Sequence, residues 1–348
     1  MTRDLTAHLE VIQPGIGTTV QDAGRAGHRH QGIPLSGWLD AHLAHAANAL
    51  VGNALGEAVL EMRGLGTEFL IRSGPVRIAL AGSIHAKKRC QDGTNTLVSS
   101  WQTTTLQPGD RLTLGSAESG CAYLAVAGGL KLPQQLGSRS SYWRAGLEGM
   151  QGRAWCPGDL IPCTAWLTSE VREWRSSPWT HNTDAIRVML GPQDDCFTKE
   201  ALAAFTQAPW EATVEQDRMG LRLRGEKLNH INASAADIVS DAVTPGTIQV
   251  PASGQPIVLL ADSQTVGGYP KIATVITADL PKLAHARAGT QIKFQVVTSA
   301  QAHEALQDVH KTWQQWLTTR QAYLPIGYVD EQALYTHNLI SGMLFGED

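Results

Sequence analysis

Three stretches of the chain concentrate polar side chains between glycine turns, where a side chain is aimed rather than left to solvent. Residues 14–25, continuing through 33–37, carry Gln21, Asp22 and Arg25. Asp217-Arg218-Met219-Gly220 is the second stretch. Residues 244–251 and 262–271 form the third, with Gln249, Gln264, Tyr269 and Lys271. These residue types suit the recognition of a small planar amide. Gln249 and Gln264 each present a donor and an acceptor to such a group, or else satisfy backbone groups at strand ends. Lys271 follows Gly267-Gly268-Tyr269-Pro270 on a turn, placed to meet a developing oxyanion or a carboxylate. Asp217 either orients an amide N–H, acts as a base, or forms a structural ion pair with Arg218. Tyr269 either bonds substrate or walls the cleft. Gln21, Asp22 and Arg25 either make the opposite lip or tie down their own turn.

Other chemistries lack their signatures. The chain has no GxxxxGK[ST] loop, and Gly15 and Gly17 open a GxGxxG that no third glycine completes, so ATP finds no standard cradle. No GxSxG elbow marks a hydrolase nucleophile, and no Met-Lys-Met setting offers a lysine for covalent biotin. His28, His30, His42 and His45 have no HExxH pattern or carboxylate cluster beside them, so no metal site is expected and they read as surface histidines. Cys90, Cys121, Cys156, Cys163 and Cys196 are scattered without a CxxC pair and read as reduced thiols.

The elements that must position these residues are mostly short strands. With 43% hydrophobic and 17% charged residues, the 348-residue chain can bury a large core, and its length favours two lobes. A formal net charge of -4 leaves no basic footprint for nucleic acid. Residues 1–11 include Arg3, Asp4, His8 and Glu10 and do not read as a signal peptide; with no apolar run of membrane-spanning length, a cytoplasmic location is expected. Residues 76–80, 186–190 and 256–260 are apolar runs bounded by turn residues. Pro108-Gly109-Asp110-Arg111-Leu112 is echoed by Pro157-Gly158-Asp159-Leu160-Ile161 and more weakly by Ala288-Gly289-Thr290-Gln291-Ile292, a repeated turn-into-strand unit.

Helices are few. Ser36 is the expected cap of one running from Trp38 to Val51, ended by Gly52-Asn53, with Leu39, Leu43, Ala46, Ala47 and Leu50 on one face. Thr198 caps a second, with Phe197 and Leu202 as its staple. Leu306, Val309, Trp313, Trp316 and Leu317 form the apolar stripe of a third, beginning near Ala300. The expected division is an N-terminal lobe over 1–167, a linker over 168–185, a C-terminal lobe over 186–299, and a helix and tail over 300–348.

The same blocks resemble a known family. Pro14-Gly15, Thr18-Thr19-Val20-Gln21-Asp22, Gly24-Arg25, Pro34, Ser36-Gly37 and Asp40 match the opening of the family described as the 5-oxoprolinase C-subunit, the second allophanate hydrolase subunit or biotin-dependent carboxyltransferase. Residues 125–129 and 136–140 resemble its middle, and 245–275 its signature ending, so the likeness spans nearly the whole chain. Departures are Gln216, where the pattern carries a small serine, the basic run at 83–89, and a long tail. The resemblance implies a mainly β, α+β fold of two β-rich lobes with cyclophilin-like barrel architecture. It implies membership of an ATP-dependent 5-oxoprolinase that opens 5-oxoproline to L-glutamate, with ATP used by the complex and no phosphate loop in this chain. The implied partners are a smaller carboxyltransferase-type chain, like the B-subunit of a 5-oxoprolinase, and a third chain like its A-subunit. Two alternatives remain: a carboxyltransferase-type subunit whose substrate is urea, allophanate or a related amide, and a non-catalytic regulatory binding protein.

Overall fold

A computed structural model describes residues 6–147, 152–168, 171–182 and 184–325. The first lobe is a sandwich of two antiparallel sheets. Its strands are β1 (Thr6–Gln13), β2 (Thr18–Gln21), β3 (Val59–Met62), β4 (Glu68–Ser73), β5 (Val76–Ala81) and β6 (His85–Arg89). They continue with β7 (Asn95–Ser99), β8 (Thr103–Leu106), β9 (Arg111–Leu114), β10 (Ala122–Val126) and β11 (Leu160–Thr164). One sheet runs in the order β11-β1-β4-β9-β6-β7, the other β2-β3-β10-β5-β8.

Alternation along the strands decides what each face meets. Leu9, Phe69, Ile71 and Ile161 of one sheet pack against Leu60, Met62, Ile78, Leu80 and Leu124 of the other. The intervening residues Val59, Ala79, Ala81, Tyr123 and Ala125 point to the opposite face and join a second core that runs into the other lobe. Helix α1 (Ala41–Val51) lies there, and the alanines on both sides let it approach closely. The expected apolar face of this helix is observed, but its cap is Asp40 rather than Ser36. Ser36 and Gly37 have φ of 54° and 83°, so a right-handed helix cannot begin at that point. Gly52 ends α1 in the left-handed conformation.

A short strand in the expected linker, β12 (Glu173–Arg175), leads to the second lobe. Its sheet uses β13 (Ile186–Leu190), β14 (Trp210–Gln216), β15 (Gly220–Arg224), β17 (Thr247–Gln249), β18 (Ile257–Leu259), β20 (Lys271–Val275), β21 (Gln291–Ile292) and β22 (Phe294–Val296). Between them, β16 (Asp241–Ala242) and β19 (Val266–Gly267) form a separate ribbon. The order is β21-β14-β15-β18-β17-β20-β13-β22, so the two edge strands are consecutive in the chain with only Lys293 between them. That connection curls the sheet into a nearly closed barrel, which protects its edges. Helix α2 (Lys199–Gln207), capped by Thr198 as expected, stacks Phe205 on Phe294 with ring centroids 4.8 Å apart. The two β-rich lobes and the barrel architecture expected from the sequence are therefore present.

The repeated turn recurs as one local structure. Gly109, Gly158 and Gly289 have φ of 89°, 90° and 88°. In each case the next side chain accepts the N–H three residues back: Gln107 to Asp110 at 2.9 Å, Cys156 to Asp159 at 2.7 Å, and Arg287 to Thr290 at 2.9 Å. Only glycine adopts that φ without strain, and the following Asp or Thr satisfies the turn's orphan donor.

After the short α3 (Leu280–Leu283), helix α4 (Ser299–Leu317) carries a complete Thr298–Gln301 capping box. Trp313 and Trp316 are buried as expected, whereas Leu306 is 44% exposed and Ala305 takes the inward position. The strand β23 (Gln321–Tyr323) pairs with β12, so the start of the expected tail closes onto the linker. The remainder, 326–348, lies outside the described residues.

Asp279 fastens the second lobe at the end of β20. Arg187 donates from its backbone N, Nε and Nη2 to the buried carboxylate at 2.8, 3.0 and 2.7 Å, and Lys282 stands 3.1 Å away. Burial raises the Asp279 pKa, but the bonds from Arg187 outweigh it and hold the group below the usual carboxylate range. A depressed carboxylate stabilises the fold above its unfolded pKa of about 4 and loses that contribution as pH falls through the folded value. Asp279→Asn is expected to cost about 3 kcal/mol at pH 7. In urea titrations the gap between wild type and variant should narrow progressively below about pH 4.

Candidate functional site

Asp217 and Arg218 are adjacent on the β14–β15 turn yet serve different ends, and the expected ion pair between them does not form. Arg218 reaches into the junction of the lobes. Its Nε and Nη2 donate to Asp262 at 2.9 and 3.1 Å, Nη2 also donates to the Gly37 carbonyl at 2.5 Å, and Nη1 bonds Glu61. Only 12% of its side chain is exposed, and Glu61 is fully buried. Burial disfavours the guanidinium charge, but Glu61 and Asp262 more than offset this and raise its pKa above the ordinary value.

Glu61 extends the network into the first lobe. Its Oε2 accepts Tyr123 Oη–H at 2.6 Å and the Leu39 N–H at 3.0 Å, and Tyr123 Oη in turn accepts the Asp40 N–H at 2.9 Å. One charge-assisted chain thus runs from Asp262 through Arg218 and Glu61 to the start of α1. In the sequence its one signal is a lone carboxylate inside the apolar strand β3, which no motif singles out.

Asp217 caps its turn, accepting the Met219 and Gly220 N–H at 2.7 and 3.2 Å through Oδ1, and leaves Oδ2 exposed 3.4 Å from Arg144. Two cavities flank this turn. A cavity of about 290 Å³ lies toward the first lobe, with Thr19, Arg63, Tyr142 and Arg144 in its wall. Another, of about 500 Å³, lies over the barrel and is lined by Asp217, Met219, Arg222, Gln249, Gln264 and Tyr269. The structure therefore brings together Asp217, Gln249, Gln264 and Tyr269, which lie in separate segments of the sequence.

Within the larger of these two spaces, the Gln249 amide donates to the Tyr269 carbonyl at 3.2 Å and accepts from Gln264 at 3.4 Å. Gln264 and Tyr269 are exposed to the cavity side, whereas Gln249 is buried at its base. Lys271 is register partner to Gln249 across β17–β20, but its side chain is buried away from the cavity. Its ammonium bonds Asp241 and, at 3.1 Å, the Ala242 carbonyl, holding the small β16–β19 ribbon against the barrel. The expectation of a lysine aimed at substrate is corrected accordingly: a buried ammonium takes the nearest carboxylate as its partner.

Gln21, Asp22 and Arg25 are also interior residues rather than a lip. Asp22 accepts from Gly24 N, Ser138 Oγ, Ser140 Oγ and Arg139 N at 2.5–2.9 Å, and Arg25 bonds the Ser140 carbonyl. Gln21 donates to Thr19 at 3.0 Å and to the Ser141 carbonyl at 3.4 Å. Together they hold residues 138–141 in place, and Ser141 with Tyr142 walls the smaller cavity.

A third cavity, about 830 Å³, lies on another side of the junction, between the first lobe, the linker and the end of the barrel. His181 and His285 line it. Their Nε2 atoms lie 2.6 and 2.8 Å from Asp40 Oδ2, behind the cavity wall. Burial opposes the Asp40 charge, but hydrogen bonds from both imidazoles hold its pKa below the ordinary value. His42 and His45, read as surface histidines, are instead packed inside an aromatic cluster. His42 stacks on Trp179 at 4.9 Å, and His45 contacts Trp38 and Trp313 at 4.9 and 5.9 Å. Burial and the neighbouring His42 pull the His45 imidazole down to about 4. No local pattern joins residues 40, 181 and 285, so this cluster was invisible in the sequence.

Comparison with known proteins agrees with this architecture. The chain is 36% identical over 310 residues to the C-subunit of 5-oxoprolinase from Escherichia coli, covering 88% of this chain and 97% of that one. It is 28% identical over 321 residues to urea amidolyase of Saccharomyces cerevisiae, covering 82% of this chain but 16% of that one. The crystal structure of Kluyveromyces lactis urea carboxylase superposes with a TM-score of 0.78 at 26% identity, covering 89% of this chain and 29% of that one. Residues 31–296 match the family described as carboxyltransferase domain, subdomain A and B. With its two-lobed β architecture and a match of that extent, the chain belongs to the carboxyltransferase domain, subdomain A and B family.

Proposed function

We propose that this chain is the carboxyltransferase-type component of an ATP-dependent 5-oxoprolinase. It opens 5-oxoproline to L-glutamate together with a smaller partner of the B-subunit kind and a third of the A-subunit kind. The observation that carries this reading is the cavity over the barrel, where Asp217, Gln249, Gln264 and Tyr269 meet around about 500 Å³. The likeness to the 5-oxoprolinase C-subunit over 97% of its length supports the choice of substrate.

The chemistry follows from the groups present. A lactam offers one N–H and one carbonyl, and the Gln249–Gln264 pair offers a complementary acceptor and donor. The exposed Oδ2 of Asp217 is positioned to accept the lactam N–H or a proton from attacking water. Arg222, paired with Glu215 at 2.9 Å on the rim, is the cation that faces this space and suits a substrate carboxylate. A lactam is a stable amide, so ATP serves to activate it, through phosphorylation of its oxygen, before water attacks. This chain carries no GxxxxGK[ST] loop, and in this reading ATP is used by the complex as a whole.

A second reading is transfer of a carboxyl group to urea or a related amide, favoured by the likeness to the Kluyveromyces lactis urea carboxylase. Reconstitution separates the two. The complex of this chain with its two partners should release ADP and glutamate from 5-oxoproline, and omission of this chain should abolish the release. If a verified complex instead carboxylates urea from a carboxybiotin donor and leaves 5-oxoproline intact, the second reading is correct.

Asp217→Asn keeps the oxygen that accepts the Met219 and Gly220 N–H but removes the charge. In the assembled complex it should lower kcat at least about 100-fold. Its melting temperature should remain within about 2 °C of wild type, as for an exposed substitution that keeps its turn. Undiminished turnover would remove Asp217 from the chemistry.

A further inference from the structure

We infer that Asp40, His181 and His285 form a binding site for a divalent first-row transition cation such as Zn²⁺, opening onto the cavity of about 830 Å³. The site is separate from the Asp217 cavity and does not depend on the 5-oxoprolinase reading. One ligand atom from each of the three residues lies within 4.8 Å of the others, although the residues are far apart in sequence. Two imidazoles and one carboxylate form a donor set suited to zinc or iron(II) with further positions left open.

The surroundings prepare the ligand atoms. Asp40 Oδ1 is committed to the first turn of α1, accepting the His42 and Leu43 N–H at 2.9 and 3.1 Å, which fixes the carboxylate and presents Oδ2. His285 Nδ1 contacts the Ser119 carbonyl, which can only accept, so Nδ1 carries the proton. In the neutral ring, Nε2 is then a lone pair facing another acceptor, Asp40 Oδ2, at 2.8 Å. A positive centre between the two resolves that conflict, a proton in the metal-free cluster or the cation when it is bound, and His181 Nε2 converges on the same oxygen at 2.6 Å. Backbone carbonyls behind metal-bound histidines fix ring orientation in the same manner. With bonds of about 2.0–2.2 Å, an ion would part the three atoms to roughly 3.3 Å. Because His181 and His285 are cavity-lining and only 17% and 19% of their side chains are exposed, the ion would keep its remaining positions toward the cavity.

The test uses the full chain stripped with a chelator and titrated with Zn²⁺ in competition with a chromogenic chelator. One equivalent should bind per chain, and His181→Gln or His285→Gln should weaken binding at least about 10–100-fold. His303→Gln, on the exposed face of α4, should leave it unchanged. Absence of stoichiometric binding, or binding that both variants retain, would overturn the site and leave a proton-bridged His–Asp–His cluster in its place. Should either variant lose its fold, X-ray absorption of the zinc-loaded wild type decides. Two imidazole nitrogens and a carboxylate oxygen around the ion support the site, and any shell without two imidazoles overturns it.

Discussion

A buried guanidinium bridges the two lobes of this molecule. Arg218 comes from the barrel, Glu61 from the sandwich, and Gly37 from the loop entering α1, while Asp262 closes the arrangement from the barrel side. Burying a charge is costly unless its partners supply both opposite charge and hydrogen bonds, and here both carboxylates do so. The geometry leaves little freedom. Two carboxylates and a carbonyl around one planar fork define distance and orientation together, which a lysine's point charge would not. Apolar packing between α1 and both lobes contributes the area, and the charged network selects one arrangement of it.

This constraint shapes the candidate site. Because Arg218 is drawn inward, the tight turn presents its neighbour Asp217 outward, between the two spaces that flank the junction. The wall on the sandwich side is set by Asp22, whose carboxylate accepts three hydrogen bonds from residues 138–140, the turn that precedes Ser141 and Tyr142. On the barrel side, Lys271 holds the β16–β19 ribbon, next to Gln249 and Gln264. Residues suited to chemistry by type are thus divided. The buried ones position the cavity, and the exposed ones line it.

The elements legible in the sequence were those governed by local rules. The strand at residues 186–190, the Thr198 cap, the glycine end of α1 and the threefold Gly-Asp/Thr turn all depend on interactions within a few residues. Misreadings arose where tertiary context decides. Ser36 is a good cap by type, but its left-handed backbone belongs to a turn fixed by the Ala261 carbonyl, which accepts its N–H at 2.9 Å. Lys271 sits on a glycine-rich turn, as an aimed residue would, but Asp241 captures it. His42 falls at the edge of the apolar face of an amphipathic helix and His45 further onto its polar one, and Trp179 and Trp313 arrive from distant segments to join Trp38 in covering them. The Asp40–His181–His285 convergence joins segments more than a hundred residues apart, a distance no spacing rule spans.

The claim on which the other assignments rest is that Arg218 and Glu61 act as one unit across the lobe junction. A double-mutant cycle on stability, using Arg218→Met, Glu61→Gln and the double variant, measures that coupling directly. Each single change strands a buried partner, so the double variant should be far less destabilised than the sum, with an interaction energy of roughly 1.5–3 kcal/mol. Additivity within about 0.5 kcal/mol would mean that the Arg218–Glu61 pair is incidental and that the other contacts across the junction register the lobes.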